Sequence, residues 1–138
     1  MPFYNPANSN PKARVQSFTV SVLLSGTAPA TASQYERFWV APAKCVVDYF
    51  TLTYSVASTS GTVQLEKVPS GTAQGSGTNI LTDTVSTSST ANTNNAGTIS
   101  TTAATAELAV GDALALVNGR TLTNLTDLQA TVGLHWIV

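Results

Sequence analysis

The stretch Leu108-Ala109-Val110-Gly111-Asp112-Ala113-Leu114-Ala115-Leu116 constrains this chain more than any other. Apolar side chains at Leu108 and Val110, and again at Leu114 and Leu116, alternate with small or polar ones around a Gly-Asp pair. A period of two belongs to a strand with one buried face. The stretch therefore predicts a strand, a tight turn and a second strand. The same rhythm runs through most of the chain, and no helical period competes with it. An all-β protein is expected.

Seven further segments carry the pattern. Val15 to Leu24 predicts a strand with Phe18, Val20 and Val22 on one face. The run after Lys12 and Arg14 superficially imitates a signal peptide, but Gln16, Ser17, Thr19 and Ser21 break its apolar core, so a strand is the better reading. Tyr35 to Val40 predicts a second strand. Cys45 to Val56 predicts a long one, with Val46, Phe50, Leu52, Tyr54 and Val56 on one face and Asp48 as the odd member. Thr62 to Val68 returns with Val63 and Leu65 inward and Gln64 and Glu66 outward, so the pair predicts an antiparallel hairpin. Asn79 to Val85 and Gly97 to Ala103 predict weaker strands, separated by the polar tract Ser86 to Ala96, which predicts a long surface loop. Asp127 to Val138 closes the chain with Leu128, Ala130, Val132, Leu134, Trp136 and Val138 on one face. About eight strands at a spacing of about 8–12 residues between turn signals predict an antiparallel two-sheet sandwich, jelly-roll-like in version, over residues 15–138.

Residues 1–14, with three prolines and three asparagines, predict an extended N-terminal arm. Phe3 and Tyr4 on that arm are large apolar groups suited to docking on another surface. A chain of 138 residues suffices for one domain with its own core.

Nothing in the residues sets up catalysis, so no enzymatic role is expected. The single histidine, His135, falls on the strand face opposite Trp136, beside Thr131, Gly133 and Ile137, and reads as a bland exposed residue, and no G-x-S-x-G elbow occurs. One His and one Cys cannot make a zinc site, and Asp83, Asp112 and Asp127 are too scattered for a calcium loop, so no metal or cofactor is expected. The run Gly71 to Thr78 lacks the Gly-Lys-Ser/Thr ending of a phosphate loop. Asn124-Leu125-Thr126 matches a glycosylation sequon and is assigned no role. Cys45, between strand residues, reads as a small buried hydrophobe. Net charge is −1 and only 9% of residues are charged, which argues against a nucleic-acid partner and suits packing among many copies. No run reaches the ~18 apolar residues of a membrane helix, so no membrane partner is expected. The aromatics Tyr35, Trp39, Tyr49 and Tyr54 admit either sugar stacking or ordinary packing.

Ser76-Gly77-Thr78-Asn79-Ile80-Leu81, Thr90-Ala91-Asn92-Thr93, the Leu108 to Leu116 stretch and Leu122-Thr123-Asn124-Leu125 together resemble small structural proteins of tailed bacteriophages. The strand break at Val40-Ala41-Pro42 and the strand Tyr49 to Val56 fit the same pattern, so the likeness covers residues 35–138. It implies a capsid decoration or cement protein on the outer surface of the virion, partnered by the major capsid protein and by itself as a homotrimer. Phe3, Tyr4, Tyr35 and Trp39 would then contact the capsid or a neighbouring subunit. The Leu-x-x-Gly-Asp-x-Leu-x-Leu piece also resembles trimeric jelly rolls of the tumour-necrosis-factor and C1q type. The alternative expectation is a receptor- or glycan-binding head domain of a phage fibre or tail, and a third is a free sugar-binding module.

Overall fold

The structure is a computed structural model that describes residues 16–29 and 34–137, with side chains from residue 37 onward in the second stretch. Six long strands carry the fold: β1 (Ser17–Thr27), β2 (Gln34–Val40), β3 (Cys45–Thr53), β4 (Thr62–Val68), β9 (Ala113–Gly119) and β10 (Thr126–Trp136). Four pieces of two or three residues complete it: β5 (Thr78–Asn79), β6 (Val85–Ser86), β7 (Asn95–Gly97) and β8 (Glu107–Leu108). A single helical turn, Ala103–Ala106, falls where the sequence predicts the end of a weak strand.

Two antiparallel sheets face each other. One runs β1-β10-β3-β7, with β8 also on β3, and the other runs β2-β9-β4-β5, with β6 also on β4. β1 to β4 alternate between the sheets, and β9 and β10 then return to lie between β2 and β4 and between β1 and β3, which is the order of a jelly roll, as expected. The core lies between them, with Phe50, Leu52 and Tyr54 meeting Leu65, Leu114 and Leu116.

Alternation worked best in the outermost and last strands. Along β1, Phe18, Val20, Val22 and Leu24 are half-buried while the residues between them are exposed. Along β10, Leu128, Ala130, Val132 and Leu134 are buried.

Two hairpin expectations are corrected. β3 and β4 do not pair: β3 lies between β10 and the short β7 and β8, and β4 lies on β9. The Gly111-Asp112 turn likewise joins strands of different sheets, since Leu108 pairs with Cys45 and Ala113 pairs with Val40 and Val68. The turn is tight as predicted, with Gly111 at φ 90° and Asp112 Oδ2 accepting the Ala109 N–H at 2.9 Å. Its backbone also bonds Ala41 in both directions, through Ala41 N–H to Asp112 O and Gly111 N–H to Ala41 O. The turn thus carries the chain across the sandwich, and Val110 at its tip is 69% exposed rather than inward.

β3 also differs in phase. Its register on β10 slips between Tyr49, opposite Gly133, and Val47, opposite Leu134, leaving Asp48 as an extra residue. This bulge turns Cys45 and Val47 inward on one side of it and Phe50 and Leu52 inward on the other. Asp48 looked odd in the sequence because the strand changes phase there, and Val46 consequently does not share the core face.

Gln64 and Glu66 are buried, against expectation, because β4 is an interior strand roofed by its own connections. Gln64 Oε1 accepts the N–H groups of Leu65 and Leu81, and Glu66 Oε1 accepts those of Gly75 at 3.0 Å and Gly77 at 2.8 Å. Hydrogen bonding offsets the desolvation that would otherwise exclude them.

Candidate functional site

The two sides of the sandwich end differently. On the far side, the sheets are stitched together: Leu81 bridges Ile99, Thr82 N–H donates to Thr98 O at 2.9 Å, and Ser100 N–H donates to Ile80 O at 2.8 Å. The strands there are two or three residues long, a length that offers little edge for anything else to pair with. On the near side, β1 and β2 are the outermost strands of their sheets.

An aromatic group fills this near rim. Phe18 of β1 stacks on Trp136 of β10, ring centres 4.2 Å apart and 18° from parallel. It also meets Trp39 of β2 across the sandwich at 5.7 Å and 51°. Trp39 and Trp136 are each half-buried, so the group closes the rim without sealing it. Two shallow grooves adjoin β1, one at each end. The first, of about 300 Å³, lies among Leu23, Leu24, Ala28, Leu125 and Leu128. The second, of about 350 Å³, lies among Phe18, Thr19, Asp48, Tyr49 and Leu134.

Beside the second groove, the bulge presents Asp48 to His135, whose Nδ1 is 2.8 Å from both carboxylate oxygens. Sequence reading placed His135 on the outer face but did not find this partner, 87 residues away; the irregular position of Asp48 was the available signal. Tyr49 lies over Gly133 so closely that a Cβ there would overlap its ring. Tyr49 is 46% exposed, whereas Tyr54 is buried with its hydroxyl 2.9 Å from Ser89 Oγ. The imagined platform of four aromatics is therefore not one surface: Trp39 belongs to the rim, Tyr49 to an outer face and Tyr54 to the core. Tyr35 sits on β2, its side chain outside the described residues, and Phe3 and Tyr4 lie outside them entirely.

Among the described residues, no three His, Cys, Asp or Glu side chains gather as a metal site would require. No helix in them is long and apolar enough to cross a membrane. Cys45 is buried, and burial, with the Asp112 carboxylate adding to it, pushes the thiol up from 9.0 to about 11. The native state therefore favours the protonated thiol. That contribution is fully present below about pH 9 and is lost as pH rises through about 11. Between those values the stability of the native chain should fall relative to Cys45→Ala by about 2–3 kcal/mol, read by urea unfolding at each pH. Parallel curves would mean that the thiol ionises in the folded state as easily as in the unfolded one.

The fold and rim define a small jelly-roll sandwich with one long open edge and no gathered metal-ligating side chains among the described residues. No family model matches the chain, and no curated protein matches it in sequence. In three dimensions it is similar to a chain of the solved "Cyanophage Pam1 capsid asymmetric unit", with a TM-score of 0.52 and 15% identity over 99% of this chain and 100% of that one. At that identity the likeness is one of fold.

Proposed function

We propose that this chain is a phage structural protein that decorates the outside of the head, bound to the major capsid protein and associating with further copies as a homotrimer. The observation that carries the reading is the end-to-end likeness to a chain of comparable length within a capsid asymmetric unit. The low charge of the chain supports it, since a decoration protein packs against repeated neighbours with little to repel it. So does the disposition of its reactive groups, with the thiol buried and the histidine engaged by Asp48.

The experiment is binding to heads that lack the protein. Saturation at hundreds of copies per head is expected; a few to a few tens would instead support the alternative, a receptor- or glycan-binding fibre domain. Exposed Tyr49 beside the Asp48–His135 pair is the feature that favours that alternative. Deleting residues 1–14 should weaken attachment at least tenfold while leaving the far-ultraviolet dichroism of the sandwich unchanged. Unaltered attachment would remove Phe3 and Tyr4 from the contact.

A further inference from the structure

We infer that the open edge of β1 is a self-association surface, on which β1 of a second copy adds antiparallel across a two-fold axis. Every cross-strand bond of the regular part of β1 goes to one side: Ser17 to Leu24 pair without interruption with His135 to Leu128. Among the described residues no strand pairs on the other side. In an antiparallel ladder about half the residues of such an edge direct both N–H and C=O outward.

Proteins commonly blunt an exposed edge with charge, proline, a bulge or brevity. β1 uses none of these along its regular part. It is eleven residues long, reads Ser-Phe-Thr-Val-Ser-Val-Leu-Leu-Ser-Gly-Thr, and its register slips only after Leu24. β2, the other outer strand, does use them: it carries Glu36 and Arg37 and slips twice against β9. The far rim uses brevity and stitching. Among the described residues, one edge is therefore left prepared for pairing.

The occupant is argued from β1 itself. Opposed residues in an antiparallel pair share a face. Centring the axis on Ser21 sets Val20 opposite Val22 and Phe18 opposite Leu24, so the inner face meets apolar with apolar. On the outer face Thr19 meets Leu23, Ser17 meets Ser25 and Ser21 meets itself. No charge opposes a like charge anywhere in this register, and the small Ser21 sits at the axis. Phe18, Val20, Val22 and Leu24 are all only half-buried in one copy, and each would gain a partner that continues the core across the axis. An isologous contact needs this kind of self-complementarity.

The test uses the full chain in solution, without capsids, so its outcome is independent of the decoration reading. Ser21 is exposed and bonds only Thr131 Oγ1, at 3.3 Å, among the described side chains. Ser21→Lys therefore leaves the sandwich intact but opposes two like charges at the axis. The expected result is a twofold fall in mass by light scattering, whatever other contacts the chain makes, with unchanged melting temperature of the isolated subunit. Ser21→Cys should form an intermolecular disulfide under mild oxidation, with buried Cys45 silent, while Gln129→Cys on the interior strand β10 should not. A wild-type chain that is monomeric at its highest soluble concentration, a mass that Ser21→Lys leaves unchanged, or equal cross-linking at positions 21 and 129 would each overturn the proposal.

Discussion

Phe50→Ala should lower the free energy of unfolding by about 3–5 kcal/mol, the largest effect expected of any single truncation in this chain. Phe50 is fully buried at the centre of β3, paired with Val132 on one side and Gly97 on the other. It sits just beyond the bulge at Asp48, where the strand has returned to its inward phase. Removing the ring forfeits its transfer free energy and leaves a cavity that two flanking strands cannot close without breaking register. For a domain of this size the melting temperature should fall by roughly 10–20 °C. Urea unfolding followed by Trp fluorescence measures it, and a loss below about 1 kcal/mol would place Phe50 outside the core.

The second large effect is expected where apolar pattern is absent. Gly61 lies at the crossing between β3 and β4, inside a polar knot. Its N–H donates to Ser58 Oγ at 2.8 Å, its carbonyl accepts the Thr87 N–H at 2.9 Å, and the Ser58 and Thr87 hydroxyls are 2.7 Å apart. A Cβ on Gly61 would overlap Thr87 Oγ1 and lie 2.5 Å from Leu122 Cδ2. Gly61→Ala should therefore cost about 2–3 kcal/mol by overpacking a site whose members are tied to one another. Ser60→Ala, one residue away and half-exposed, should change stability by no more than about 0.5 kcal/mol. Equal effects at the two positions would mean that the knot yields freely.

That knot also shows where sequence reading lost its footing. Thr87 lies in the tract Ser86 to Ala96, which has no apolar periodicity and reads as a solvated loop, yet Thr87 is fully buried. Hydroxyl groups that satisfy one another can be buried at little cost, but the partner, Ser58, lies 29 residues upstream and nothing local announces the pairing. Gln64 and Glu66 failed in the same way: they alternate like outward residues, and only the overlying connections cover them. The burial of Cys45, by contrast, is legible in the sequence, because its apolar neighbours are adjacent in the chain. Of the residues singled out for contact, Trp39 proved to belong to the aromatic group at the rim. Its companions there, Phe18 and Trp136, lie in other strands and could not be joined to it from spacing.

Local alternation by itself determined that this chain is all-β and that β1 and β10 each bury one face. Tertiary structure alone decided which strand lies beside which. Leu108, Leu114 and Leu116 are inward whether the Gly111-Asp112 turn closes a hairpin or crosses between sheets. The side-chain period records the buried face of a strand, while the backbone bonds that choose its neighbour are the same for every residue. The same reason hides the open edge of β1 from the sequence: an edge is defined by the strand that is not beside it, and that is settled only when every other strand has taken its place.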